Sequence, residues 1–316
     1  MRTRRRYAAA MNEPKSQAAK PHSAEFFNES RDYWWNLDFL RLMAQRLRFD
    51  DVRRVLDVGC GVGHWGRSLA HVLPPEASVT GLDREPEWVR RAGEEAARAG
   101  LGRRFTFAQG DAMALPFADH SFDLVTCQTV LMHLSDFGAG LREMIRVTRP
   151  GGLVFAVEPC NMASMAVFSS VTDQFPTEVV AAWLRFQLTM QRGKRALGLG
   201  FNSVGDLVPG KMIELGLRDV RVYMSDRATP MLPPYDQPHQ RAEISQLKDW
   251  YAREHWMWDK ATARSYFIAG GGQEPEFAAL WQQAGRQMAA ELAAMDAGTF
   301  HCANPHITYL VSGRVG

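Results

Sequence analysis

Hydrophobic and polar positions alternate in short blocks through the first half of the chain. Arg54–Val58 (R-V-L-D-V), Ser78–Leu82 (S-V-T-G-L), Phe105–Ala108, Phe122–Cys127 (F-D-L-V-T-C) and Leu153–Val157 (L-V-F-A-V) are apolar runs of strand length. Helical patterns lie between them. Gly63–Leu73 is stopped by Pro74-Pro75, and Glu85–Ala99 has Pro86 in its first turn and Gly100 just past its end. A third, through Leu141–Val147, ends before Pro150-Gly-Gly152. Proline early and glycine late is the arrangement helix ends favour. This strand–helix alternation predicts a parallel sheet covered on both faces. Its ligands are expected at the carboxyl ends of the strands, where the strand order reverses.

The second half has another texture. Residues 160–200 read as mainly helical, and Val204–Leu215 as a helix. Strand Val220–Met224 (V-R-V-Y-M) follows, then a proline-rich M-L-P-P-Y. Two long helical patterns, about residues 239–268 and 275–297, precede a last strand, His306–Ser312. If the final two strands pair, the helices between them are an insertion and not a separate domain. There is no internal repeat.

Composition narrows the function classes. The 316 residues are 46% hydrophobic and 23% charged, ordinary for a soluble globular chain. A net charge of +2 supplies no strong field for nucleic acid or an anionic membrane. The basic start M-R-T-R-R-R runs into a polar stretch without an apolar segment, so residues 1–24 read as a solvated tail and not a signal peptide. Met11 is an alternative start. Cys60, Cys127, Cys160 and Cys302 are scattered and form no C-x-x-C, which points to neither zinc nor disulfides but to a reducing cytoplasm. No apolar run is long enough to span a bilayer.

The chemistry concentrates at V-L-D-V-G-C-G-V-G-H-W-G, residues 55–66, where Gly61, Gly63 and Gly66 spell the G-x-G-x-x-G dinucleotide fingerprint. Asp83 follows at the distance of a ribose contact. Asp57 argues against NAD. A pyrophosphate prefers backbone N–H groups at a helix N-terminus, and a neighbouring carboxylate repels it. S-adenosylmethionine brings an ammonium and a sulfonium instead, and an acid at the loop mouth attracts both. Asp111, in Gly110-Asp111-Ala112 after the third strand, is placed to accept from an adenine amino group.

These stretches resemble the class I S-adenosylmethionine-dependent methyltransferases, notably the small-molecule branch called methyltransferase type 11. V-L-D-V-G-C-G-V-G, V-T-G-L-D, G-D-A-M-A-L-P-F, S-F-D-L-V and R-P-G-G-L occur in the family's order over about residues 51–158. The resemblance implies a Rossmann-like α/β fold with seven strands, the last antiparallel. It implies that Gly59, Gly61 and Gly63 let the backbone approach the cofactor, and that Asp57 faces the methionine ammonium. Asp83 would hold the ribose hydroxyls, Arg84 would lie against the adenine, and Asp111 would read the adenine amino group with Ala112 and Met113 beside the ring. Gln128 would lie near the methionine end. The expected organisation is a tail at 1–24, an N-terminal lid helix at 25–50, and a core at 51–229 plus 300–316 with a helical insertion at about 160–202. Residues 230–299 would form a helical cap between the last two strands.

Methyl transfer needs no fixed catalytic signature, because the cofactor carries the activated group and the protein positions the acceptor and excludes water. The candidate catalytic residues are His133, just past the fourth strand, and Glu158, ending the fifth, with Asn161 beside it. The aromatic stretch holding Tyr33, Trp34 and Trp35 offers either a cation–π face for the sulfonium or packing for the lid helix. Leu232-Pro-Pro-Tyr235 is similar to the N/D-P-P-Y of amino-methylating enzymes, but its position and leading residue are wrong, so it reads as a turn. Trp250, Tyr251, Trp256, Trp258, Tyr266 and Phe267 would line an acceptor pocket or pack helices. The reading is transfer to a small, partly apolar acceptor at oxygen, nitrogen or carbon, yielding S-adenosylhomocysteine, with no nucleic-acid or membrane partner and no metal. Its competitors are a non-catalytic S-adenosylmethionine-binding protein and a nicotinamide-dependent oxidoreductase.

Overall fold

A computed structural model of the chain describes residue 31 and residues 34–165 and 168–316. The expected tail, the start of the lid helix and Tyr33 lie outside these. The elements in chain order are α1 (Leu37–Leu47), β1 (Arg54–Val58), α2 (His64–Ala70), β2 (Ser78–Asp83), α3 (Pro86–Arg98), β3 (Phe105–Gln109), β4 (Phe122–Gln128), α4 (Phe137–Val147) and β5 (Thr148–Pro159). They continue with α5 (Asn161–Ser164), α6 (Thr177–Ala196), α7 (Val208–Glu214), β6 (Arg218–Met224), α8 (Pro238–Ala252), α9 (Lys260–Ala269), α10 (Glu274–Asp296) and β7 (Thr308–Arg314).

The seven strands form one sheet in the order β3-β2-β1-β4-β5-β7-β6. β1 to β5 pair in parallel, and β7 is antiparallel to both β5 and β6. The order reverses between β1 and β4, which places the ligand crevice at their carboxyl ends. Alternation along each strand sorts the core into two layers. Val55, Val79, Leu124, Leu153 and Phe155 face one cluster with α1 and α2; Leu56, Leu82, Val125, Val154 and Val311 face another with α4 and α7.

Local chemistry explains most of the boundaries. In α3, Trp88, Ala92 and Ala96 form one buried stripe, Pro86 opens the helix, and Gly100 beyond its end takes a φ of +72°. Asp136 caps α4 by accepting from the Ala139 N–H at 3.0 Å. α4 ends at Val147, before Pro150-Gly-Gly152, and the fifth strand is longer than its apolar run, beginning at Thr148. Pro150, Gly151 and Gly152 lie inside β5, where they form an irregularity in the pairing with β4 between Phe122 and Leu124, and Gly151 supplies a φ of +73°.

Two further expectations change. Among the described residues of the expected 25–50 segment the α-helix is α1, and its Leu40, Met43, Ala44 and Leu47 are buried in the sheet core. The single pattern at 239–268 divides into α8 and α9 around a Trp256–Trp258 bridge. The helices between the last two strands bury their own aromatics: Trp256, Trp258, Phe267, Phe277 and Trp281 pack with Phe186 of α6. Leu232-Pro-Pro-Tyr235 is a turn whose Tyr235 hydroxyl donates to the Phe300 carbonyl at 2.7 Å. Among the described residues no helix is long and apolar enough to cross a membrane.

Candidate cofactor site

The loop between β1 and α2 is built on three left-handed glycines, Gly59, Gly61 and Gly63, with φ of +66°, +53° and +76°. A side chain at Gly59 would also collide with Val130, 2.6 Å from where its Cβ would stand. The loop is pinned from β2. Asp83 Oδ2 accepts from the Gly61 N–H at 2.9 Å, and its Oδ1 accepts from the Glu85 N–H at 3.0 Å. Asp83 therefore both ties down the loop and starts α3. Burial raises its pKa above the usual carboxylate value.

Asp57 lies on the same sheet face as Val55 and Thr126, turned toward α2. One oxygen accepts from the Gly66 N–H at 3.0 Å, while the other, Oδ1, is buried without a partner. Burial pushes its carboxyl up to about 7, with the Asp83 charge adding to the rise. Gln128, ending β4 on that same face, also buries an Oε1 that nothing donates to. Two unmet acceptors beside a glycine loop at the switch point suit a ligand that brings donors, and an ammonium group is such a donor. They do not suit a pyrophosphate, which brings further acceptors. The residues present thus fit S-adenosylmethionine.

The other predicted residues are placed as follows. Arg84 is exposed and pairs with Glu85. Asp111 is exposed and spends one oxygen on the Met113 N–H at 2.8 Å, which shapes the turn that carries Ala112 and Met113. His133 is exposed at the end of a short 3₁₀ turn after β4. Glu158 is placed otherwise than the sequence reading supposed. It is fully buried, and its carboxylate accepts from the Val130 and Leu131 N–H groups, both at 2.8 Å, and from Met132 at 3.3 Å. It holds the turn after β4 in place. Asn161 opens the short helix α5.

Trp34 and Trp35, the described part of the aromatic stretch, both have partners within the chain. Trp35 packs on Trp65, ring centroids 5.1 Å apart, and Trp65 Nε1 donates to Thr126 Oγ1 at 2.9 Å. The guanidinium carbons of Arg31 and Arg227 lie over the Trp34 ring, 4.6 and 4.8 Å from its centroid. A cavity of about 280 Å³ opens between α1 and α2, lined by Trp35, Leu37, Leu40, His64, Arg67, Ser68 and His71. Sequence reading missed His64, Arg67 and Arg227. The first two directly follow the glycine loop, which is a usable signal; Arg227 is a lone arginine in a distant loop and gives none.

Residues 49–194 match the model of the methyltransferase domain family. The demethylmenaquinone methyltransferase of Geobacillus kaustophilus is 40% identical over 125 residues, 39% of this chain and 51% of that protein. That of Listeria innocua is 36% identical over 124 residues, 39% of this chain and 50% of that protein. The chain thus spans about half the length of the curated relatives it matches. A solved Haemonchus contortus phosphoethanolamine N-methyltransferase 2, in complex with phosphomonomethylethanolamine and S-adenosylhomocysteine, is 16% identical, covers 93% of this chain and 56% of that one, and has a TM-score of 0.47. The glycine loop, its acids and the matched sequence agree: residues 49–194 form a methyltransferase domain.

Proposed function

We propose that this chain transfers a methyl group from S-adenosylmethionine to a small, partly apolar acceptor. The observation that carries the reading is the pair of unmet buried acceptors, Asp57 Oδ1 and Gln128 Oε1, on one sheet face beside the left-handed glycine loop. When bound, the sulfonium supplies an activated methyl group for in-line displacement. The chain's own work is placement. Asp57 and Gln128 orient the ammonium, Asp83 fixes the loop and the ribose, and the turn held by Glu158 forms the wall after β4. Rate enhancement comes from orientation and exclusion of water. His133, exposed beside that wall, is the side chain we assign to take a proton from an acceptor that arrives protonated.

The family match ends at residue 194, before α7 to α10, so the acceptor is not carried over with it. The relatives' names give demethylmenaquinone as their acceptor, and this reading takes from them only a small molecule. The helices between β6 and β7 pack on α6, whose Lys194 reaches the Met132 carbonyl in the turn after β4, and a cap so placed would favour a small acceptor over a polymer. The four cysteines are free thiols, which fits a reducing cytoplasm.

Calorimetric titration tests the reading. S-adenosylmethionine and S-adenosylhomocysteine are expected to bind wild-type protein at micromolar concentrations, and NAD is not. Binding of NAD alone would revive the oxidoreductase. Binding of S-adenosylmethionine without turnover to S-adenosylhomocysteine across an acceptor panel would favour the non-catalytic protein.

A further inference from the structure

α6 has two buried stripes. Phe186, Met190 and Gly193 form the first, which packs on α9 and α10: Phe186 meets Phe267 and Phe277, and Gly193 lies against the Tyr266 carbonyl. Gln187, Gln191 and Lys194 form the second, and all three are residue types that ordinarily face water. Its last two members fix where it lies. Lys194 Nζ donates to the Met132 carbonyl at 3.2 Å, in the turn after β4, and to Asn202 Oδ1. Gln191 Oε1 accepts from Ser203 Oγ at 2.7 Å, and Ser203 Oγ accepts from the Met162 N–H at 2.9 Å, in α5 just beyond β5. The stripe therefore ties together the segments that leave β4 and β5 at the carboxyl edge of the sheet, the edge at which an open α/β sheet binds its ligands.

Lys194 Nζ and Gln191 Oε1 thus have partners in the chain, but the other amide atoms of the stripe do not. Gln187 is 1% exposed and buries both Oε1 and Nε2 without a hydrogen bond. Gln191, at 0%, buries its Nε2 in the same state. Buried amides left unmet are costly and uncommon. Side chains four apart share one helix face, with about 5–6 Å between their Cβ atoms, so both amides can reach a single atom. The unmet set is two NH₂ donors and one carbonyl acceptor. A hydroxyl group has one proton to give and two lone pairs to fill, which is the complementary set. A ketone or a carboxylate leaves Gln187 Oε1 unmet, and an ammonium leaves both NH₂ groups unmet.

We propose that Gln187 and Gln191 of α6 receive a hydroxyl group of the acceptor, which makes the acceptor an alcohol, a phenol or an enol. The inference rests on the methyl-transfer reading for the ligand's being an acceptor; the preference for a hydroxyl stands on the two glutamines alone.

Ligand-observed NMR titration of the full chain, saturated with S-adenosylhomocysteine, tests it. The probes are phenol and cyclohexanol, each compared with its methyl ether, which keeps the oxygen and has no proton to give. Wild type is compared with Gln187→Met and Gln187→Leu, which forfeit no hydrogen bond within the chain, each first shown to melt near the wild-type temperature. In wild type at least one hydroxyl compound is expected to bind at least tenfold tighter than its ether. Either variant removes that margin by weakening the hydroxyl compound alone. If hydroxyl and ether bind wild type alike, or not at all, the proposal is overturned. It is also overturned if the margin survives in the variants, or if both compounds weaken equally, which would mark the glutamines as holding water or only packing. Failure of wild-type protein to bind S-adenosylhomocysteine instead sinks the methyl-transfer reading. In that event the same probes, run without the adenosine ligand, still decide the hydroxyl site.

Discussion

The carboxyl ends of β1 and β5 each bury a carboxylate, and the two are furnished in opposite ways. Asp57 and Glu158 are both pushed up to about 7, with burial as the first cause. Glu158 faces α4's side of the sheet and is satisfied by three backbone N–H groups of the turn after β4. Asp57 faces α2's side and has one backbone donor and one idle oxygen. The same residue chemistry at the same edge thus has its donors supplied by the chain in one place and leaves an oxygen unbonded in the other. A raised carboxylate pKa alone does not distinguish them; the count of donors already present does.

The largest expected effect is on Glu158. Glu158→Ala leaves the Val130 and Leu131 N–H groups buried without acceptors, and is expected to cost about 4 kcal/mol in urea denaturation. A loss under about 1 kcal/mol would break the comparison, because the carboxylate would then not be holding the turn. Next is Asp83→Ala, which releases the Gly61 N–H and removes the ribose contact proposed for it. Affinity for S-adenosylhomocysteine is expected to fall about 100-fold, or about 2.7 kcal/mol, by calorimetry. Asp57→Asn is expected to cost about tenfold in the same titration and to change its pH profile. With a carboxyl at about 7, wild-type affinity rises as pH increases from 5.5 to 7.5 and the charge that meets the ammonium forms. The amide variant should show no such rise, and an unchanged profile would remove Asp57 from the site.

A fourth test turns on stability. Since both carboxyls are raised on folding, their proton-linked stabilisation is full below the unfolded carboxylate value and is lost as pH climbs through about 7. The melting temperature is therefore expected to drop between pH 5 and 8, and Glu158→Gln should flatten part of that drop. The smallest effect belongs to Asp136→Ala, which removes the α4 cap, costs about 1 kcal/mol and leaves ligand binding unchanged.

A similar contrast separates the two halves of the chain. Up to residue 158 the boundaries are written locally: prolines open helices, glycines close them, and strands buried on both faces read as continuous apolar runs. Beyond residue 160 the helices pack by mutual contact. Gly193 sits so close to the Tyr266 carbonyl that no side chain would fit, and Phe186 meets Phe267 and Phe277 across the helix crossings. Such pairings join residues many turns apart, and no local spacing encodes them.

By itself the sequence determined the strand–helix alternation, the glycine loop and the identity of the acids around it, because turns and caps are short-range chemistry. Tertiary structure alone decided which acid was already satisfied. It tied the Glu158 carboxylate to the turn after β4, placed two arginines over the Trp34 ring and brought Arg227 from a distant loop to where its charge bears on His64. Burial and hydrogen-bond supply are set by whatever the rest of the chain folds against a residue, so neither is visible at that residue's own position.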